Sequence, residues 1–223
     1  FRYSSYYRNF TLVFKDKTVG VAEAGSPFLN IRGTKDDESI PMFFGGGSAY
    51  GFEGNDTING TSGADKIYGG EGNDKFNGNN GDDHLDGGVG NDKLYGGNGD
   101  DTYVYGKGYG NDIINDSNGK NKIVFNELKS SDVYVEYPST GNNAILHVIG
   151  SDDTLTLENF RYSSYYRNFT LEFDDAEKAH INLNDGEIIV DIAKDEQIEQ
   201  IISEQLNDIY SDEIVSDGLT IDN

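Results

Sequence analysis

Residues 51–104 read GFEGNDTIN GTSGADKIY GGEGNDKFN GNNGDDHLD GGVGNDKLY GGNGDDTYV, one nine-residue phrase written six times without a gap. Position 1 is always glycine (Gly51, Gly60, Gly69, Gly78, Gly87, Gly96), and so is position 4 (Gly54, Gly63, Gly72, Gly81, Gly90, Gly99). Position 2 is glycine at Gly70, Gly88 and Gly97 but Phe52, Thr61 and Asn79 elsewhere. Position 6 is always aspartate: Asp56, Asp65, Asp74, Asp83, Asp92 and Asp101. Position 8 is always apolar: Ile58, Ile67, Phe76, Leu85, Leu94 and Tyr103.

One apolar side chain per phrase is too little to bury a core alone, so neighbouring phrases are expected to stack as a solenoid. The last three residues suit a short strand with position 8 pointing inward and positions 7 and 9 outward. The first six residues turn the chain, where glycine permits positive φ and a close backbone approach to an ion. Stacked turns place one carboxylate above another with turn carbonyls between them. An oxygen-only ligand set without Cys or His suits a hard cation of six to eight ligands, hence calcium over zinc. A Gly/Asp-rich disordered linker would have the same charge and glycine content, but no reason to hold an apolar residue at every ninth position. Without calcium, repulsion among the carboxylates makes disorder the expected state.

The whole chain carries 40 acidic and 17 basic residues, net −23, which argues against nucleic acid and anionic membrane surfaces as partners. The charge gathers in two places: residues 51–117, with 13 acidic and 4 basic, and residues 172–223, with 16 and 2. The absence of cysteine excludes disulfides, thiolate metal sites and thiol nucleophiles. No apolar run approaches a membrane span and no signal peptide opens the chain. Phe1 stands where a start Met would, so a piece of a longer protein is expected.

A second repeat is longer. FRYSSYYRNFTL at residues 1–12 recurs letter for letter at 160–171, and Phe14 then matches Phe173, an offset of 159 residues. The natural reading is a modular array in which residues 1–19 end a preceding module; an introduced duplication is the alternative. Alternating aromatic and polar residues favour strands in both copies. Residues 20–44 read as a connector with a strand or two. Nine residues before Gly51, MFFGGGSAY (42–50) keeps Gly45 at position 4 but has Gly47 where Asp belongs, a half-turn that starts a roll spanning 45–117. After the sixth repeat the next Asp is due at 110 but arrives as Asp112, two residues late. Residues 118–175 form a β-rich cap, with four strands expected at NKIVFNE, DVYVEYP, NAILHVIG and DDTLTLENF, since an open solenoid end exposes its core. The acidic tail, 176–223, holds the strand-like EIIVDIA (187–193) and an amphipathic helix over 195–210. On that helix Ile198, Ile201, Ile202, Gln205, Leu206 and Ile209 share one face.

On these residues, 45–175 resemble the RTX (repeat-in-toxin) exoproteins of Gram-negative bacteria, which carry haemolysin-type calcium-binding repeats. The resemblance implies an all-β fold: a calcium-stabilised parallel β-roll, a β-strand cap and a C-terminal helical tail. It implies that each calcium lies between turns two repeats apart on one edge, held by both aspartates and by carbonyls at positions 1 to 4. The pairs are then Asp56 with Asp74, Asp65 with Asp83, Asp74 with Asp92 and Asp83 with Asp101: four ions, with Asp92 and Asp112 as a fifth. Phe52 and Thr61 should resist positive φ, weakening the first turn on each edge. The duplicated segment resembles the large FrpC and ApxIVA type, although the self-processing Asp-Pro junction of that type is absent. The acidic C-terminal end is similar to an uncleaved type I secretion signal, with an ordinary docking helix as the alternative.

The family implies a secreted, extracellular protein whose partners are calcium ions and the type I secretion machinery, with a host-cell surface open to the full-length protein. His84, His147 and His180 are scattered, and no H-E-x-x-H, G-x-S-x-G or P-loop occurs, so this segment reads as non-enzymatic with any activity lying upstream. A calcium-stiffened adhesin segment and the C-terminal part of a secreted protease or lipase are the alternatives.

Overall fold

The computed structural model describes residues 11–13, 19–22, 29–43, 45–162, 169–175, 178–181 and 188–191. The expected tail helix lies outside them. The chain divides into two units, Phe1–Val190 and Asp191–Asn223, and the second has only Asp191 among the described residues.

The first unit is nearly all β. In chain order the first sheet takes β1 (Thr11–Val13), β2 (Val19–Ala22), β3 (Leu29–Arg32), β5 (Gly47–Glu53), β7 (Asp65–Glu71), β9 (His84–Val89) and β11 (Thr102–Gly106). It continues through β13 (Asn121–Asn126), β17 (Phe169–Glu172), β18 (Lys178–Ile181) and β19 (Ile188–Asp191). The second sheet runs β4 (Ser39–Pro41), β6 (Thr57–Asn59), β8 (Lys75–Asn80), β10 (Lys93–Asn98), β12 (Asn111–Ile114), β16 (Thr154–Leu157), β15 (Ala144–Val148) and β14 (Val133–Glu136). From β3 to β13 and from β4 to β12, neighbours are parallel, and consecutive phrases alternate between the sheets. This is a parallel β-roll, and eighteen residues separate stacked equivalents.

Two rows of side chains form the core. One runs Ile31, Ala49, Ile67, Leu85, Tyr103, Ile123, Leu171 and Ala179. The other runs Ile40, Ile58, Phe76, Leu94, Ile114 and Leu157, then Ala144. All of these are buried. Each interior repeat strand is longer than expected, because positions 1 to 3 of the next phrase extend it. In β7, Asp65, Ile67 and Gly69 face inward together, so the carboxylate and the glycine flank the apolar residue inside the roll. One buried side chain contributes about 1.5–3 kcal/mol, whereas ordering each residue costs about 1–2 kcal/mol. At one such side chain per nine residues, apolar burial alone does not hold the turns.

Nonapeptide geometry reaches beyond the six written phrases. Stepping back eighteen from Gly51, Asp56 and Ile58 gives Gly33, Glu38 and Ile40, and GTKDDESIP (33–41) stacks in that register. At the other end, one two-residue insertion near Lys107 and Gly108 turns an eighteen-residue step into twenty: Leu94 pairs with Ile114 and Tyr103 with Ile123. The phase then resumes through KGYGNDIIN (107–115) and DSNGKNKIV (116–124). The four strands expected after the roll are present. β13 and β16 extend the two sheets in parallel, and β14 and β15 fold back on β16 as antiparallel strands. In the duplicated segment, strands form at Thr11–Val13 and Phe169–Glu172, while Phe160–Tyr162 turn instead.

Candidate metal centre: two carboxylate ladders

Each position-6 aspartate is stitched to its equivalent two phrases on. The Asp56 N–H donates to Oδ1 of Asp74 at 2.7 Å, Asp74 to Asp92 at 2.7 Å, and Asp92 to Asp112 at 2.9 Å. On the opposite edge Asp65 donates to Asp83 and Asp83 to Asp101, both at 2.8 Å. Carbonyls run the same way: Asp56 accepts from the Lys75 N–H and Asp74 from the Lys93 N–H, each at 2.8 Å. The five aspartate pairs drawn from the family pattern are therefore the five pairs the backbone brings together, Asp92 with Asp112 included. The inserted residues are absorbed in the turn around Lys107 and Gly108 before the ladder is reached.

All seven aspartates are at most 2% exposed. One oxygen of each pair is fixed by the ladder. The other oxygens, Oδ2 of Asp56, Asp74, Asp83, Asp92, Asp101 and Asp112, have no protein partner. Burial pushes Asp56, Asp83 and Asp92 up to about 7, Asp74 to about 6 and Asp112 to about 8, against an ordinary 3.8. A buried carboxylate with an unshared oxygen needs a proton or a cation. Among the described residues no three His, Cys, Asp or Glu side chains converge, so an ion held between two aspartates would take its remaining ligands from backbone oxygens.

The glycines reserve that space. A Cβ on Gly69 would collide with the free Oδ2 of Asp74 and with the Gly87 carbonyl; one on Gly78 would lie 2.6 Å from the Gly96 carbonyl. At position 4, Gly72 has φ +130°, and a Cβ there would collide with the Gly54 carbonyl two phrases back. Carbonyls and unpartnered carboxylate oxygens thus crowd one strip along each edge. Oxygen-only donors in a ring of main-chain carbonyls suit a hard, larger divalent cation.

The turns at the start of the roll differ. Phe52 adopts φ +81° despite its side chain, which points to solvent and is 47% exposed. Left-handed backbone costs a non-glycine residue about 1–2 kcal/mol, so the expected resistance is strain rather than refusal. Thr61 takes the other course. It keeps negative φ, and its N–H and hydroxyl donate to Asp65 Oδ2 at 2.6 and 3.0 Å, doing locally part of what a cation would do.

Residues missed by the sequence reading close both ladders. The Glu38 N–H donates to Asp56 Oδ1 at 2.8 Å, while its carboxylate takes the Thr34 N–H and hydroxyl. Asn121 stands where an aspartate would, accepting the Asp101 N–H at 3.0 Å. Asp116 replaces the position-1 glycine of the last phrase, and its Oδ2 accepts the Tyr103 hydroxyl at 2.5 Å. A Cβ on Gly96 would meet both Asp116 Oδ2 and Asp101 Oδ2. Burial raises both carboxyls. The eighteen-residue step would have found Glu38, whereas the insertion hides Asn121 and Asp116.

The His84 and His147 side chains lie away from the ladders. His84 points outward beside Tyr68, and His147 stacks on Tyr134 at 4.7 Å and bonds Glu136 at 2.9 Å. Among the described residues no helix is long and apolar enough to cross a membrane.

No curated protein matches the chain. In structure it is similar to the solution structure of the AlgE6R3 subunit from the Azotobacter vinelandii mannuronan C5-epimerase. The two are 23% identical, covering 61% of this chain and 79% of that one, with a TM-score of 0.40. The model of the RTX calcium-binding nonapeptide repeat (4 copies) matches residues 50–85 and 77–109, so the ladder aspartates from Asp56 to Asp101 lie in a stretch that carries RTX calcium-binding repeats, and Asp112 lies just beyond it.

Proposed function

We propose that this chain is a calcium-folded module of a secreted bacterial RTX exoprotein of the toxin type. It stays unfolded where calcium is scarce, folds outside the cell and thereby supports type I secretion. The observation that carries the reading is the row of buried carboxylate oxygens without partners along both edges. Calcium neutralises these pairs and accepts the carbonyls beside them. Asp56 with Asp74, Asp65 with Asp83, Asp74 with Asp92 and Asp83 with Asp101 would hold four ions, and Asp92 with Asp112 a fifth. Membership of the large FrpC and ApxIVA type rests on the duplicated dodecapeptide alone. The module itself performs no chemistry in this reading; pore formation, adhesion or catalysis belongs to other parts of a longer protein.

Extracellular calcium modules bind at roughly 10⁻⁴–10⁻³ M. A calcium titration followed by far-UV circular dichroism should show cooperative gain of β-structure in that range. Magnesium should not substitute, because it keeps its waters and demands tight octahedral geometry. Identical spectra in chelator and in millimolar calcium would refute the reading.

A further inference from the structure

The duplication extends further in the fold than in the sequence. Between residues 172 and 191 only Phe173 and Asp175 match their counterparts, yet the next two strands recur at the same offset of 159 residues. Thr11–Val13 corresponds to the last three residues of Phe169–Glu172, Val19–Ala22 to Lys178–Ile181, and Leu29–Arg32 to Ile188–Asp191. Pairing recurs as well: Leu12 opposes Gly20 as Leu171 opposes Ala179, and Val13 opposes Val19 as Glu172 opposes Lys178. The strand sequences VGVA and KAHI, or LNIR and IIVD, share almost nothing. A unit of three neighbouring strands thus occurs twice, once before the roll and once after it, with its first two strands antiparallel in both copies.

The two copies differ in what lies beside their first strand. β17 is paired in parallel with β13, the last first-sheet strand of the roll, with Leu171 opposite Ile123. Phe160, Phe169 and Leu171 are buried at that end, and Phe169 packs 6.1 Å from Tyr103. Among the described residues β1 stands at the end of the sheet order, although its segment carries the same residues, Phe1, Phe10 and Leu12. Through β2 and β3 it is oriented parallel to the roll strands, as β17 is. We propose that the outer edge of β1 is the docking edge for the last strand of a preceding calcium roll, so that successive 159-residue periods share one unbroken first sheet. The partner is another period of this same design, presenting a β13-like strand. The second sheet does not continue, because β14 and β15 close it as an antiparallel flap.

The proposal rests on the calcium-roll reading and is tested so that the two can fail separately. One period contributes eight strands to the first sheet, β1, β2, β3, β5, β7, β9, β11 and β13. At a strand spacing of about 4.8 Å, each period adds about 38 Å of rod. The experiment compares the 223-residue chain with a tandem chain in which residues 1–159 precede it, joined so that Phe1 follows Asn159. Calcium-induced folding of the single chain is the control for the roll reading. In calcium, small-angle X-ray scattering should show the maximum dimension growing by about 38 Å, and circular dichroism should show a single transition. Leu12→Pro should shift the calcium midpoint of the single chain less than twofold, since β1 is terminal there. At the tandem junction the same substitution should split the transition in two, because it removes an interior ladder bond. Two transitions in the unsubstituted tandem chain, a beads-on-a-string scattering profile, or a tandem chain that calcium leaves unfolded while the single chain folds would each overturn the proposal.

Discussion

Leu94 in the roll and Leu157 in the cap lie in one row of the second sheet, with Ile114 between them, and both are 1% exposed. Their neighbours along the strand are not alike. Leu94 is flanked on the inner face by Asp92 and Gly96, Leu157 by Leu155. The register sharpens the contrast, because Leu155 stands opposite Asp112 and Phe169 opposite Asn121. Each carboxylate ladder therefore ends on an apolar residue of the cap. The roll buries carboxylates, which on the proposed reading makes it depend on a cation; the cap strands bury carbon. On the proposed reading, calcium dependence belongs to the roll and the cap strands cover its far end.

The largest expected effect comes from removing one partner of that comparison. A chain ending at Asp116 keeps every aspartate pair but loses β13, β16 and β17, leaving Tyr103 and Ile114 uncovered and two sheet edges open. Calcium-induced folding should be abolished or sharply weakened relative to a chain ending at Asp175. Equal calcium midpoints for the two would show that ion binding alone suffices. Within the cap, Leu155→Ala should cost about 2–5 kcal/mol, measured by urea unfolding in saturating calcium.

Inside the roll, Asp74 belongs to two aspartate pairs and Asp56 to one. Losing a hydrogen-bonded charge costs about 1.5–3 kcal/mol, and about 1.4 kcal/mol is tenfold in an equilibrium constant. Asp74→Ala should raise the calcium midpoint tenfold or more, and Asp56→Ala by less. Superimposed titrations of the two variants would count against ligand sharing between turns.

Proton and calcium should compete for the same oxygens. The ladder carboxyls titrate higher when folded, at about 6 to 8, than in an open chain at about 3.8. The folded chain therefore holds more protons, and their contribution is full below about pH 4 and lost as pH rises through about 6 to 8. In chelator, β-structure should be greater at pH 5 than at pH 8, while the calcium midpoint should be higher at pH 5. The cap, without such a ladder, should show no matching trend in amide protection.

The smallest effect concerns the first turns. Phe52→Gly relieves a strained φ on an exposed side chain and should lower the calcium midpoint two- to fivefold, equivalent to about 0.5–1 kcal/mol. An unchanged or higher midpoint would place the strain elsewhere.

The period of nine, the inward apolar row and the four cap strands were legible because glycine, aspartate and alternation leave direct marks on sequence. The limits of the roll were not, since repeats at its ends break the pattern one residue at a time. Glu38 stands for aspartate and retains the ladder hydrogen bond, Asn121 does so without charge, and Asp116 fills a glycine position. The insertion looked like a change of geometry in the sequence, yet a turn absorbs it and the stacking of Asp112 and Ile123 is unaltered. Sequence alternation also could not tell that β13 and β16 join different sheets, because that choice is made by the parity of turns, not by side-chain pattern.

The most direct test of the central claim is hydrogen exchange, by NMR, of the backbone amides of Asp56, Asp65, Asp74, Asp83 and Asp92 along a calcium titration. Each of these amides donates to the carboxylate two phrases on. Exchange should be fast in chelator at pH 8, and protection should appear at all five together, at the midpoint of the circular dichroism transition. Protection of these amides in chelator at pH 8 equal to that in calcium would contradict it, since the ladders would then stand without the cation.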